Sequence, residues 1–238
     1  MRDRNYFFRR AICLLLLCAA PLSAAEWGRD YPDHIWQGTR AALSNPHWLF
    51  AAGAIAGLSA WDRDLQAAHP QLMPAELARF GKYYGFGANY LAGSLFILTD
   101  GLGGWPMSRR ERLDNWQSFS EAYAANMAAT AALKLATRRL RPDDSSRDSF
   151  PSGHTSSSAC VAAHLHQRYG AAAGLPAAAA ALITGASRMQ HERHWLSDVL
   201  AGALLGGLIG DGFGQLERGP GRPEPVRTRW QVDLLLIF

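Results

Sequence analysis

The sequence predicts an all-α fold, a single bundle of about six core helices, and three features predict it. Six apolar stretches follow one another, at roughly 48–60, 84–99, 120–136, 155–168, 173–187 and 196–212, and their Ala and Leu content favours helix. Gly, Pro or charged residues punctuate the intervals, where helices stop and turns form. A length of 238 residues suits one domain with an ample core.

Taken in order, residues 1–25 read as a secretory signal. Arg2, Arg4, Arg9 and Arg10 precede the apolar AICLLLLCAAPL, and the small-residue site Ser23-Ala24-Ala25 follows it. The segment takes four Arg and Asp3 out of a chain whose formal charge is +4, so the mature product has a net charge of +1. The sequence pI of about 9.2 is therefore no argument for a nucleic-acid partner, and none is expected. Cys13 and Cys18 belong to the signal, which leaves Cys160 alone in the mature chain. An intramolecular disulfide is excluded, and its small apolar neighbours make Cys160 a buried thiol.

The domain itself is expected over 26–218. Residues 62–82 and 100–119 are polar, contain Pro70, Pro74 and Pro106, and are expected as loops or short helices beside a pocket. The third helix, in AANMAATAALKLATRRL, is expected to run to Arg141, because Pro142 disfavours helical geometry at the residue before it. Lys134 and Arg141, seven residues apart, then lie two turns apart on one face. Taken alone they are either a basic cap on a solvated helix end or part of an anion site. Arg138 and Arg139 read as a solvated face.

Pro151 and Gly153 mark a turn, and Ser152 or Thr155 caps a fourth helix through SSSACVAAHLHQ. Its unpaired N–H groups make either an ordinary N-terminus or an anion site with His154 at the mouth. The fifth helix ends at Arg188, which faces the start of the sixth across the short QHER connection. On a helix starting near His194, Asp198 is a neighbour four residues on. The pair is either a surface ion pair or a carboxylate that holds one imidazole nitrogen and leaves the other free to attack. If consecutive helices run antiparallel, all these positions meet at one end of the bundle. Gly219 to Pro225 reads as a linker, and RTRWQVDLLLIF after it has the composition of a short β segment, so 219–238 is a linker and tail.

Most of the apolar stretches run only 12 to 17 residues, short of the ~20 that a membrane span needs. Mean hydropathy is −0.11. With a cleaved signal, three true spans would also leave Lys134 and Arg141 in the cytosol. The expectation is a periplasmic bundle, soluble or membrane-associated rather than integral. Trp48, Phe50, Phe86 and Phe96 either fill its core or form a surface that docks on lipid.

Lys134-x6-Arg141-Pro142, Pro151-Ser152-Gly153-His154 and Ser187-Arg188-x5-His194-x3-Asp198 together resemble, position for position, the three-part signature of the type-2 phosphatidic acid phosphatase (PAP2) superfamily. The resemblance spans about residues 134–198. It implies a PAP2/chloroperoxidase-like bundle and a metal-free phosphatase without a cofactor. By the same resemblance His194 is the nucleophile that forms a phosphohistidine, Asp198 orients it, and His154 is the general acid. Lys134, Arg141, Arg188 and the amides of Ser152 and Gly153 form the phosphate cradle, and vanadate inhibits as a phosphate mimic. Uncatalysed phosphate-monoester hydrolysis is slow enough to need several effects at once, and cations, oriented N–H groups and covalent attack supply them. His191, Glu192 and His194 lack the further convergent ligands of a metal site. The expected substrate is a phosphorylated lipid, namely phosphatidate, phosphatidylglycerophosphate or a polyprenyl diphosphate. The alternatives are a nonspecific acid phosphatase on small soluble esters and a vanadium-dependent haloperoxidase.

Overall fold

In the computed structural model, which describes residues 31–44, 46–68, 73–105 and 107–216, every regular element is helical. Helix α1 is Tyr31–Leu43, and α2 (Trp48–Leu58) runs through a 3-10 turn (Ser59–Trp61) into α3 (Asp62–Ala67). Helix α4 (Ala75–Tyr83) passes through a π-helical turn (Tyr84–Ala88) into α5 (Asn89–Leu98), followed by the single turn α6 (Asp100–Gly103). The remaining helices are α7 (Arg109–Thr137), α8 (Gly153–Tyr169), α9 (Ala171–Gln190) and α10 (Leu196–Gln215). The expected signal at 1–25 and tail at 219–238 lie outside the described residues.

All six expected apolar helices are present, with four further elements where polar sequence hid them. Residues 100–119 are not a connection, because α7 already begins at Arg109. Its start was legible in a capping box: the Glu111 N–H donates to Ser108 Oγ (3.2 Å) and the Ser108 N–H to Glu111 Oε2 (2.7 Å). Residues 62–82 hold the short helices α3 and α4, as expected of that stretch. The other end of α7 also differs from expectation. Arg138 adopts the left-handed conformation (φ 47°, ψ 36°) and donates its N–H to the Lys134 carbonyl, so the helix closes four residues before Arg141.

Helix α8 is the central element, because small residues let its neighbours reach its backbone. A Cβ on Gly202, Gly206 or Gly210 of α10 would lie 2.5, 1.9 or 2.2 Å from the carbonyl oxygens of Ser152, Ser156 and Cys160. Backbone therefore presses on backbone along this crossing. Helix α9 covers another side of α8, and α4 reaches α9 at Gly81, where a Cβ would be 2.7 Å from the Ile183 carbonyl oxygen. Helix α1 packs on α10 through Gly212, against the Ala42 backbone.

The core is graded along the bundle. At one end Tyr90, Phe119, Tyr123, Val161, Leu165 and Tyr169 form an aromatic cluster, and Phe96 joins it edge-on to Tyr169 at 5.0 Å. Phe96 is thus a core residue, whereas Phe50 is 78% exposed and Phe86 40%. Cys160 is buried, as its setting predicts. Toward the other end the filling turns polar. Tyr123 Oη donates to Asn89 Oδ1 (3.1 Å), Asn89 Nδ2 donates to Ser157 Oγ (2.8 Å), and Ser156 Oγ donates to Asn126 Oδ1 (2.6 Å). Most of these buried polar groups are paired, as burial demands, with Asn126 Nδ2 an exception. Beyond this layer lies the site. Among the described residues α10 is long and apolar enough to cross a membrane, and α1, α7 and α8 all pack against it.

Candidate active site

Four helix ends converge at the polar end of the bundle: the last turn of α7 with Lys134, the first turn of α8 with His154, the last turn of α9 with Arg188, and the approach to α10 with His194. The α7–α8 connection folds over them. After the reversal at Arg138, the Arg141 N–H donates to the Ser146 carbonyl (3.1 Å) and the Ser149 N–H to the Arg139 carbonyl (3.0 Å). Asp143 ties this loop to the α9–α10 turn through its N–H to the Glu192 carbonyl (3.2 Å) and a salt bridge to Arg193 (3.0 Å). Arg141 therefore reaches Lys134 by a loop and not along one helix face.

The cations gather around one carboxylate. Asp148 accepts a hydrogen bond from Arg141 Nη2 (3.0 Å) and forms a salt bridge with its Nε (2.9 Å), and Lys134 Nζ donates to the Asp148 carbonyl. Burial pushes the Asp148 carboxyl up, but the hydrogen bond from Ser146 and the charges of Arg141 and Lys134 outweigh it and hold the group below its ordinary value. Burial draws the Lys134 ammonium down to about 8, opposed by Asp148 and assisted by Arg141. Arg188 is 6% exposed, and its Nε and Nη1 have no hydrogen-bond partner. Burial, then the positive charge of Arg141, brings Arg188 down to about 10. An uncompensated buried guanidinium is costly, and a tetrahedral dianion is the ligand that would satisfy it. Lys134, Arg141 and Arg188 against Asp148 leave two positive charges in surplus, the charge of a phosphate monoester.

His194 lies within this field. It is 3% exposed, and burial followed by the charges of Lys134, Arg141, Arg188 and His154 holds its imidazole well below the ordinary value. The ring is therefore neutral at pH 7. Its Nδ1 lies 2.7 Å from the Ser149 carbonyl oxygen, which only accepts, so Nδ1 carries the hydrogen and Nε2 keeps a lone pair. That is the form a nitrogen nucleophile requires. His154 sits half-buried in the first turn of α8 with its ring 6.0 Å from that of Phe86, and its Cβ crowds Gly85 of the π-helical turn. Close approach there needs a residue without a side chain.

Two expected roles differ in the structure. Helix α10 starts at Leu196 with Trp195 extended before it (φ −70°, ψ 161°), so His194 stands outside the helix and cannot stack on Asp198 one turn below. Asp198 instead accepts from the Trp195 N–H (2.9 Å), Ser149 Oγ and Arg139 Nη1 (2.7 Å). Ser149, which no sequence pattern singled out, connects the carboxylate to the imidazole. Second, the Ser152 N–H already donates to the Asp198 carbonyl (2.9 Å) and Ser152 Oγ pairs with Thr155 Oγ1 (2.9 Å). The amide that opens α8 toward an anion is that of Gly153, with Lys134 Cε 3.7 Å from where its Cβ would be. Arg139 is not a solvated face, because Asp62 and Asp198 both hold it. His191 is exposed and turns its Nδ1 onto the Ser187 carbonyl (2.7 Å). Among the described residues no three His, Cys, Asp or Glu side chains converge as a metal ion would require.

The sequence model of the PAP2 superfamily matches residues 116–213, from the middle of α7 to the end of α10. The segment that carries the candidate site is thus similar to the PAP2 superfamily. The lipid A 1-phosphatase of Porphyromonas gingivalis is 36% identical to this chain over 107 residues, covering 42% of this chain and 24% of that one. The chain thus spans about a quarter of that relative's length. The crystal structure of a transmembrane PAP2 type phosphatidylglycerolphosphate phosphatase from Bacillus subtilis has a TM-score of 0.55 over 77% of this chain and 99% of its own, at 22% identity. That likeness establishes the PAP2 fold, and all three signature segments fall inside the matched region.

Proposed function

We propose that this protein is an exported, metal-independent phosphatase that removes a phosphate or pyrophosphate group from a lipid through a phosphohistidine at His194. The observation that carries the reading is a buried guanidinium, Arg188, with two unpartnered nitrogens, beside a neutral imidazole whose free lone pair sits in a field of cations. In the first step His194 Nε2 attacks phosphorus and the ester P–O bond breaks. His154 gives its proton to the leaving oxygen, and Lys134, Arg141, Arg188 and the Gly153 amide stabilise the charge on the equatorial oxygens. In the second step His154 takes a proton from water, the oxygen attacks phosphorus, the P–N bond breaks and inorganic phosphate leaves. Asp148 occupies Arg141 until substrate arrives.

The lipid part of the proposal draws on the Porphyromonas gingivalis relative, and phosphorylated lipids such as lipid A 1-phosphate, phosphatidate or phosphatidylglycerophosphate are the substrates to assay. Exposed apolar side chains, among them Phe50, Leu91, Leu95, Leu175 and Leu182, support contact with a membrane surface. The test is phosphate release from dispersed lipid phosphates and from p-nitrophenyl phosphate, with and without EDTA, followed by acid quench to look for an acid-labile phosphoenzyme. The expected result is EDTA-resistant turnover, preference for lipid, and a phosphoenzyme absent from His194→Ala. Turnover that needs a restored divalent ion, or a full rate in His194→Ala, overturns the mechanism, and preference for the soluble ester overturns the lipid assignment.

A further inference from the structure

Behind the proposed nucleophile lies an ionic chain that the signature segments account for only in part, through Asp198. Arg139 bridges two carboxylates, with Nη2 2.6 Å from Asp62 Oδ2 and Nη1 2.7 Å from Asp198 Oδ1. Trp195 covers the guanidinium, 5.9 Å from its ring centre. Asp62 is 3% exposed and comes from α3, far outside the matched segment. It caps α10 from a distance: Oδ1 accepts the Ser197 N–H (3.1 Å) and Oδ2 accepts Ser197 Oγ. Asp198 accepts Ser149 Oγ, and the Ser149 N–H is held by the Arg139 carbonyl. The Ser149 carbonyl then receives His194 Nδ1–H. Each link is a hydrogen bond, and the Asp62, Asp198, Ser149 and His194 side chains in it are buried.

We propose that Asp62 and Arg139 are positioning residues that act on His194 through Asp198 and Ser149, aiming Nε2 by fixing the carbonyl that holds Nδ1. The inference rests on His194 being the nucleophile. Two carboxylates against one guanidinium leave a negative charge behind the imidazole, which favours the positive ring formed when Nε2 bonds to phosphorus. The chain also explains why Asp198 is fully buried yet makes no contact with the histidine it serves. A helix outside the matched segment thereby becomes part of the catalytic geometry.

The experiment compares Asp62→Asn, Arg139→Lys, Arg139→Gln and the Asp62→Asn/Arg139→Gln double variant in the full chain. Four quantities are read: kcat, KM, vanadate inhibition, and the histidine tautomer from ¹⁵N-resolved imidazole NMR, His194 being assigned by its loss in His194→Ala. Expected are a kcat reduced at least tenfold, KM and vanadate inhibition within twofold of the parent, and loss of the single Nδ1–H tautomer of His194. Arg139→Lys, which keeps the charge but cannot bridge two carboxylates, should fall with the others, and the double variant should be no worse than Arg139→Gln. A kcat within twofold of the parent in Asp62→Asn and Arg139→Lys, or an unchanged tautomer in both, overturns the proposal. Multiplicative losses in the double variant overturn it as well. If the parent releases no phosphate at all, the phosphatase reading fails, while the tautomer measurement still decides whether the chain orients His194.

Discussion

Replacing Arg188 with Met should make the ligand-free protein more stable while destroying its affinity for phosphate. Arg188 is 6% exposed, and its Nε and Nη1 are unpartnered. Burial and the nearby Arg141 draw it below the ordinary guanidinium value, to about 10. A cation whose folded value is lowered costs stability wherever it is charged, here throughout the range below about 10. At ~1.4 kcal/mol per unit the cost is on the order of 3 kcal/mol, and ~1–3 kcal/mol is the usual penalty for an unsatisfied buried polar group. Met keeps the length and apolar stem of Arg and removes the charge. In a domain of this size each kcal/mol moves Tm by ~2–4 °C, so a gain of roughly 3–10 °C is expected in phosphate-free buffer. Vanadate would raise the Tm of the parent and leave Arg188→Met unmoved, because two hydrogen bonds to a charged ligand, ~1.5–3 kcal/mol each, are gone. Scanning calorimetry with and without vanadate measures both effects. A lower Tm for Arg188→Met without ligand, or an undiminished vanadate shift, would refute the reasoning.

The other predictions concern charge and close packing. Lys134, at about 8, is charged below that pH and neutral above it, so kcat/KM should fall as pH rises through about 8. Lys134→Arg should move that limb upward, whereas a flat profile to pH 9.5 in the parent would remove Lys134 from the cradle. Gly206→Ala places a Cβ 1.9 Å from the Ser156 carbonyl oxygen, an overlap costing about 3 kcal/mol or more and lowering Tm by at least ~6 °C. Gly207→Ala, whose Cβ meets nothing within 4 Å, is the control and should raise Tm by roughly 1–4 °C, the helix-propensity gain of Ala over Gly.

The bundle was legible because its core helices announce themselves by composition, whereas Lys134, Arg141, His154, Arg188 and His194 stood out only because their three segments together resemble the PAP2 signature. Whatever depended on how the chain leaves a helix was hidden. A left-handed Arg138 ends α7 early, and an extended Trp195 starts α10 late. Each shifts a pairing that helical periodicity had set, so Arg141 meets Asp148 and Asp198 meets Ser149. Arg139 looked solvated because its partner Asp62 lies 77 residues away, in a stretch too polar to suggest burial. Helix α1 escaped for a similar reason, since only Pro32 and Asp33 mark its start. Short polar helices packed on a larger core carry little periodic signal of their own.

The crossing of α8 on α10 through Gly202, Gly206 and Gly210 sets the spacing between the two histidines proposed to react in main chain, not in side-chain filling. One histidine rides at the entrance of each helix, and the Ser152–Asp198 backbone bond fastens the two entrances together. Outer faces are then free to drift: the exposed sides of α4, α5 and α9 can be re-surfaced for a different ligand without retuning the distance between the two histidines. A lineage built this way would change its diet far more readily than its chemistry.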